Sequence, residues 1–265
     1  MLRRGRIRFD YVHFNVDSKP SVQFVFQFDG GERGVFIRDF WGRLFENKFK
    51  LFSFTTGMFA RPFSYELNLS SSDRESPERG RMSQILMKTE RDLGAMISFE
   101  PRKPDYPLRY LKIDAGMFNG PGLSATTDYD SHKDFINRIA LKPYPLNKNV
   151  QLSMSVSYLN GGILQNTKYI YTFTSSDGTK SFIPDSSLNN VGKIAPRKYY
   201  GGDIQLKIKH KTGFTELRAE FMTGKQTSFA NASETPVAIP QDISGAFYIR
   251  KFNGAYFYLL HNILT

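Results

Sequence analysis

Strict alternation of apolar and polar residues recurs along most of this chain, and no other feature limits its fold as much. Val150, Leu152, Met154, Val156 and Tyr158 alternate with Gln151, Ser153, Ser155 and Ser157. Val22, Phe24, Phe26 and Phe28 alternate with Gln23, Val25, Gln27 and Asp29. Ile204, Leu206 and Ile208 alternate with Asp203, Gln205, Lys207 and Lys209, and Leu217, Ala219 and Phe221 with Glu216, Arg218 and Glu220. A period of two puts successive side chains on opposite faces of a strand, whereas a helix needs apolar residues three and four apart. Weaker versions of the pattern cover 5–14, 34–41, 49–60, 91–100, 109–118, 136–144, 245–252 and 254–264. The expectation is an all-β chain forming one domain over 1–265, with about 12 antiparallel strands visible.

Strand length narrows the choice. Many of these segments run to about 9–11 residues, which a tilted strand needs to cross hydrocarbon, against about 5–6 in ordinary sheets. Gln, Asp, Lys, Glu and Arg recur on one face and Phe, Val, Leu, Ile and Met on the other. In a soluble sheet the apolar face would be the inner one; in an outer-membrane barrel it faces lipid and the polar face lines a wet lumen. The pattern alone fits both, and length and aromatic content (15% of residues) favour the transmembrane β-barrel. No stretch approaches about 18 uninterrupted apolar residues, so the crossing would be by strands and not by helices. Tyr199-Tyr200 and Tyr256-Phe257-Tyr258 read as parts of an interfacial aromatic girdle.

Connections fall into two kinds. Asp29-Gly30-Gly31, Asn119-Gly120-Pro121-Gly122, Lys211-Thr212-Gly213 and Asn253-Gly254 carry tight-turn chemistry, the last reading as a hairpin between two aromatic strands. Long polar segments cover 61–90, 119–134, 160–198 and 225–243. Short turns at one end and long loops at the other are the layout of an outer-membrane barrel. The densest loop holds Arg61, Arg74, Arg79 and Arg81 against Glu66, Asp73, Glu75 and Glu78, so its charges balance although the whole chain carries +11. Ser72-Asp73-Arg74-Glu75 and Ser76-Pro77-Glu78-Arg79 predict short helical starts, with Ser as N-cap and Pro in the first turn. These arginines either tie the loop to a charged wall or face a channel and bind anions bidentately.

The stretches Gly57-Met58-Phe59-Ala60-Arg61-Pro62-Phe63-Ser64-Tyr65-Glu66, SSSDRESPERGRM (70–82) and ERDLGAM (90–96) together resemble the phosphate-selective porin family of Gram-negative outer membranes, above all its Bacteroidetes-type members. LRRGRIRF (2–9) and QFDGGERGVFIRDFW (27–41) are similar to that family's first strands. The resemblance implies a 16-stranded homotrimeric porin in the outer membrane, with an inward-folded constriction loop and basic residues that attract small anions such as phosphate. It places Arg61, Arg74, Arg79 and Arg81 in the segment that lines or braces the constriction. Strand alternation alone nominates Arg6, Arg8, Lys112, Lys207, Lys209 and Arg218 for the lumen wall. The visible strands are fewer than the family's, and the ends carry neither a signal peptide nor a terminal aromatic strand, so the expectation is a barrel incomplete at both termini.

Other chemistries have weaker signals. Cysteine is absent, and His13, His132, His210 and His261 are too scattered for a ligand cluster, so no cofactor or metal is expected. Asp128, Asp130 and Asp134 alternate as calcium ligands could but lack a full oxygen set at a recognised spacing. His132 lies between Asp130 and Asp134, yet catalytic groups must converge in space and nothing in this loop requires that. The expected protein is therefore a non-enzymatic anion channel whose partners are outer-membrane lipid, small hydrophilic solutes and copies of itself, without nucleic acid. The alternative is a soluble or surface-exposed β-sheet protein that binds an acidic polymer or polysaccharide through its net positive charge.

Overall fold

A computed structural model of the protein describes residues 5–31, 34–70, 73–76, 78–123, 128, 130–176, 178–236 and 245–263. The strands are β1 (Gly5–Phe14), β2 (Pro20–Gly31), β3 (Gly34–Phe45), β4 (Phe52–Ala60), β5 (Arg91–Phe99), β6 (Leu111–Phe118) and β7 (Asp134–Pro145). They continue as β8 (Val150–Leu164), β9 (Ile170–Ser176), β10 (Thr179–Asp185), β11 (Ile194–His210), β12 (Gly213–Ser228) and β13 (Phe247–Ile263). One short helix, α1 (Arg81–Leu86), sits in the long connection between β4 and β5. All 13 strands share one sheet in the order β1 to β8, β11, β12, β13, β9, β10. Neighbours are antiparallel except β13 and β9, which pair in parallel over Phe247–Ile249 and Ile170–Thr172. The sheet has two ends, β1 and β10, and is not closed among the described residues. Because β1 and β13 run in the same direction, closure through antiparallel pairs alone takes an odd number of strands between them.

The two faces are sorted by chemistry in the way alternation requires, but the exposed face is the apolar one. On β12, Glu216, Arg218, Glu220 and Met222 are buried while Phe221 between them is 49% exposed. On β11, Tyr199, Asp203 and Gln205 are buried while Tyr200, Ile204 and Ile208 are exposed. Ile7, Phe24, Phe40, Phe54, Ile97, Val156 and Phe257 continue this bare apolar surface around the sheet. Monomeric soluble proteins rarely expose apolar surface on this scale; patches of this kind mark contact with a membrane or with other proteins.

The polar face is covered by the chain that follows β4. Phe63, Leu67, Leu86 and Met87 of that connection pack on Phe59, Met96, Phe118, Ile136, Leu159, Tyr199 and Met222, which point inward from the wall. The inner face is thus apolar where this plug docks, with buried charges on either side: Asp92, Asp134 and Arg197 towards the long connections, and Asp203, Glu216 and Arg218 towards the short turns.

Three expectations are corrected. Asn253-Gly254 is no hairpin: β12 and β13 pair without interruption from Gly213 with Ile263 to Ser228 with Tyr248, and these two residues lie mid-strand. Gly254 serves close approach instead, since a Cβ there would come 3.0 Å from the Met82 sulfur of α1. The 160–198 loop holds the β9–β10 hairpin and the ends of two strands longer than expected. Ladder pairing with neighbours carried β8, β11 and β12 past the clean alternation by which they were recognised. Helical starts do not form at Asp73–Ser76 or Glu78–Arg79, Ser72 and Pro77 being outside the described residues; the helix begins at Arg81, without a side-chain N-cap hydrogen bond.

Gly57 is the tightest point of the β3–β4 pairing. Its φ is +121°, and a Cβ would lie 2.3 Å from the Phe40 carbonyl oxygen. Gly57→Ala should cost about 1–3 kcal/mol and lower the midpoint of a denaturation curve. Gly30→Ala, with its nearest contact at 3.7 Å, should leave that midpoint almost unchanged.

Candidate functional site

Below the plug, the inner face lines a half-open chamber of about 500 Å³ between β6, β7, β8, β11, β12 and the loop residues Tyr65, Asn68 and Leu69. Its ionisable lining is five cations, Lys112, Arg138, Lys142, Lys207 and Arg218, against two carboxylates, Asp203 and Glu216. Strand alternation places them together: Lys112 and Asp114 on β6, Arg138 and Lys142 on β7, Asp203 and Lys207 on β11, Glu216 and Arg218 on β12. Most cations have a carboxylate within reach. Arg138 lies 3.4 Å from Asp203 and donates to the Ser155 hydroxyl at 2.8 Å. Lys142 donates to Glu100 at 3.1 Å, and Lys112 lies 3.2 Å from Asp114. Lys207 has no carboxylate partner among the described residues; its ammonium sits 3.8 Å from the Phe214 ring centroid.

Arg218 joins wall to loop. It donates to Glu216 at 2.6 Å and forks onto both oxygens of Glu75 at 2.9 and 3.1 Å. Its guanidinium also lies 5.6 Å from the Tyr65 ring. Burial pushes the Tyr65 phenol above its ordinary value while Arg218 pulls it down, so the hydroxyl stays neutral at physiological pH.

The four loop arginines separate into different environments. Arg61 is buried at the root of the loop; it donates to the Thr89 and Gly120 carbonyls and lies 4.0 Å from Asp92. Asp92 in turn accepts the Gly120 N–H at 2.6 Å, and the buried pair Arg197–Asp134 lies alongside. Arg79 pairs with Glu90, a buried carboxylate that also holds Arg38 and Arg91. Arg91 reaches Asp39 as well, at 2.7 Å. Arg74 borders a small crevice with Glu75, Glu78 and Arg218. Arg81 is exposed at the start of α1 and has no partner among the described residues. Of the remaining nominated residues, Arg6 lies 3.5 Å from Asp29, Arg8 forks onto Asp10 at 2.6 and 2.8 Å, and Lys209 is exposed near the β11–β12 turn.

Carboxylates that the sequence did not nominate as site residues carry much of the loop's attachment. Glu66 accepts the Gly80 N–H at 2.7 Å and the Ser83 hydroxyl, holding the first turn of α1 in place of a conventional cap. Glu220 accepts Tyr256 Oη at 2.6 Å and the Glu66 N–H at 3.3 Å. Arg138 and Lys142 were also missed, although their inward positions two turns of the alternation apart were available on β7. No local signal marks Glu66 or Glu90, because their partners are dispersed in sequence.

The girdle expectation is corrected in part. Tyr199 is buried in the plug core, and Tyr256 and Tyr258 lie on the polar face; only Tyr200 and Phe257 are on the bare face. Adjacent strand residues cannot share a face. In the loop before β7, Asp130 accepts the backbone N–H groups of His132 and Leu164 at 3.0 and 2.8 Å, Asp128 pairs with Lys133, and Asp134 with Arg197.

No family model matches this sequence, and no curated protein is significantly similar to it.

Glu90 compensates three guanidiniums in a buried place. Glu90→Gln should destabilise the fold by about 3–5 kcal/mol, as removal of one partner from a buried ion pair does. Limited proteolysis should then cut within residues 73–80 faster than in the unsubstituted protein.

Proposed function

We propose that the protein is a channel wall of the Gram-negative outer membrane that lets small hydrophilic solutes diffuse through, with a preference for anions. The observation that carries this reading is the inversion of the sheet: its charged face is enclosed and its aromatic and aliphatic face is bare. Hydrocarbon is the solvent in which that arrangement is stable, and strands of up to 17 residues exceed what a tilted crossing requires. The soluble alternative would hold the same apolar face in water, which disfavours it.

Preference for anions is supported by the chamber lining, in which cations outnumber carboxylates and Lys207 has no carboxylate partner among the described residues. A cation in a narrow wet passage lowers the electrostatic barrier to anions and raises it to cations. The resemblance to phosphate-selective porins makes phosphate the first anion to test and a trimer the first assembly. Within this reading the segment after β4 is the constriction. Arg61 and Arg79 brace it from buried positions, Arg218 clasps it to the wall, and Lys207 and Arg81 are the cations available to a passing solute.

Detergent-extracted protein reconstituted in planar bilayers should give stepwise conductance, with a reversal potential in a salt gradient of the sign for anion preference. Lys207→Glu should move that potential towards cation preference, and Arg81→Ala should move it less. A protein that stays monomeric in water without detergent and never conducts would overturn the channel. Unchanged selectivity in Lys207→Glu would remove the chamber as its anion filter.

A further inference from the structure

Three lysines stand on the bare face rather than in the chamber. Lys198 of β11 pairs directly across the ladder with Lys225 of β12, and Lys225 with Lys251 of β13. Alternation puts them on the same side as the exposed Tyr200, Phe221 and Phe257. Neighbouring strands lie about 4.8 Å apart, so the row spans about 10 Å. Like charges directly opposite one another destabilise a sheet, and none of the three has a carboxylate partner among the described residues. The residues beside them are uncharged: Asn160 is opposite Lys198 on β8, and the Lys198 ammonium lies 5.8 Å from the Tyr158 ring.

The row sits towards the end of the sheet that carries the long connections, away from the β11–β12 turn at Lys211 and Thr212. Four residues further along the strands, about 13 Å at the rise of a strand, the same outer surface is hollowed. An open depression of about 920 Å³ is floored by Gly202, Ala219 and Ala255 and walled by Met154, Phe221 and Phe257. Gly202 pairs with Phe221, and Phe221 with Ala255, so the three strands that carry the row also form one side of the depression, whose other side comes from Leu111, Ile139, Leu141, Met154 and Val156.

We infer that this face binds a phosphate-bearing glycolipid, its phosphates on the lysine row and one acyl chain in the depression. The inference rests on the membrane-channel reading, which makes this surface lipid-facing. Three cations across about 10 Å suit a headgroup with more than one phosphate, and phosphate oxygens relieve the repulsion between lysines that the strand pairing forces together. An apolar hollow one chain-length beneath a cationic row fits a lipid and leaves a free phosphate half unmatched. Single lysines at a membrane boundary commonly snorkel to water without binding anything specific; an in-register row above a hollow goes beyond that.

The test uses the full chain in detergent, with a bisphosphorylated acyl-glucosamine disaccharide (lipid A) and phosphatidylcholine as probes, read by native mass spectrometry. The unsubstituted protein should retain lipid A and release phosphatidylcholine. The triple variant Lys198→Gln, Lys225→Gln, Lys251→Gln should retain lipid A on the order of a hundredfold more weakly, given the usual contribution of each lysine at an anionic lipid surface. Ala219→Phe, which fills the hollow, should weaken lipid A retention with the row intact. Both variants should conduct as the unsubstituted protein does, because none of these side chains faces the chamber. Equal retention of lipid A by the triple variant, or of phosphatidylcholine by the unsubstituted protein, would overturn the lipid site while leaving the channel standing. Loss of conductance in every form, with lipid retention as expected, would instead remove the channel reading alone.

Discussion

A sheet can bury only one of its faces on itself, and in this protein the buried face is the charged one. Everything else in the structure depends on that choice. The carboxylates and guanidiniums of β5, β6, β7, β11 and β12 are enclosed, so each needs partners within reach, and the ladder supplies them at alternate positions: Arg138 with Asp203, Arg218 with Glu216, Lys112 with Asp114. Backbone polar groups are satisfied between neighbouring strands, so that away from the β1 and β10 edges the outer surface presents apolar side chains and few unpaired backbone groups. On the membrane reading proposed above, the aromatic face that a soluble sheet would cover with its own chain is covered by hydrocarbon.

The plug follows from the same constraint. A cylinder or trough lined with charge would be wet throughout, yet a belt across this inner face carries Phe59, Met96, Phe118, Ile136, Leu159, Tyr199 and Met222. Those side chains need an apolar cover, and Phe63, Leu67, Leu86 and Met87 provide it from a segment that is otherwise rich in serine and charge. Ionic contacts then fix where the segment lies rather than whether it is held. Glu90, Glu66 and Arg218 connect it at its root, at α1 and at the wall. Fixing the segment in this way also fixes the size of the chamber beneath it, so packing at the belt determines the electrostatics below it.

Alternation made most of the strands, and which residues share a face, legible in the sequence, but not the β9–β10 hairpin or its parallel pairing beside β13. It located the short turn at Lys211 and Thr212 and the long connection after β4, and it nominated Lys112, Lys207 and Arg218, which do meet in one chamber. It misled where a local signal has two physical meanings. Gly254 after an asparagine reads as a turn, but the same missing side chain makes room for Met82. Paired aromatics such as Tyr199 and Tyr200 read as one belt, although a strand must send them to opposite faces. The full partner sets of Glu90 and Arg61 could not be read, because Arg38 of β3, and Asp92 and Gly120, come from other segments of the chain.

The sequence by itself therefore determined which residues share a face and that the chain would form a long-stranded sheet, since both follow from a period of two. Only the tertiary structure decided which face is enclosed, how the four loop arginines divide between buried braces and exposed positions, and that Lys198, Lys225 and Lys251 stand side by side. The physical reason is register. Alternation fixes the side on which a residue lies, but the pairing of one strand against the next fixes what it lies beside, and that pairing is a property of the whole sheet.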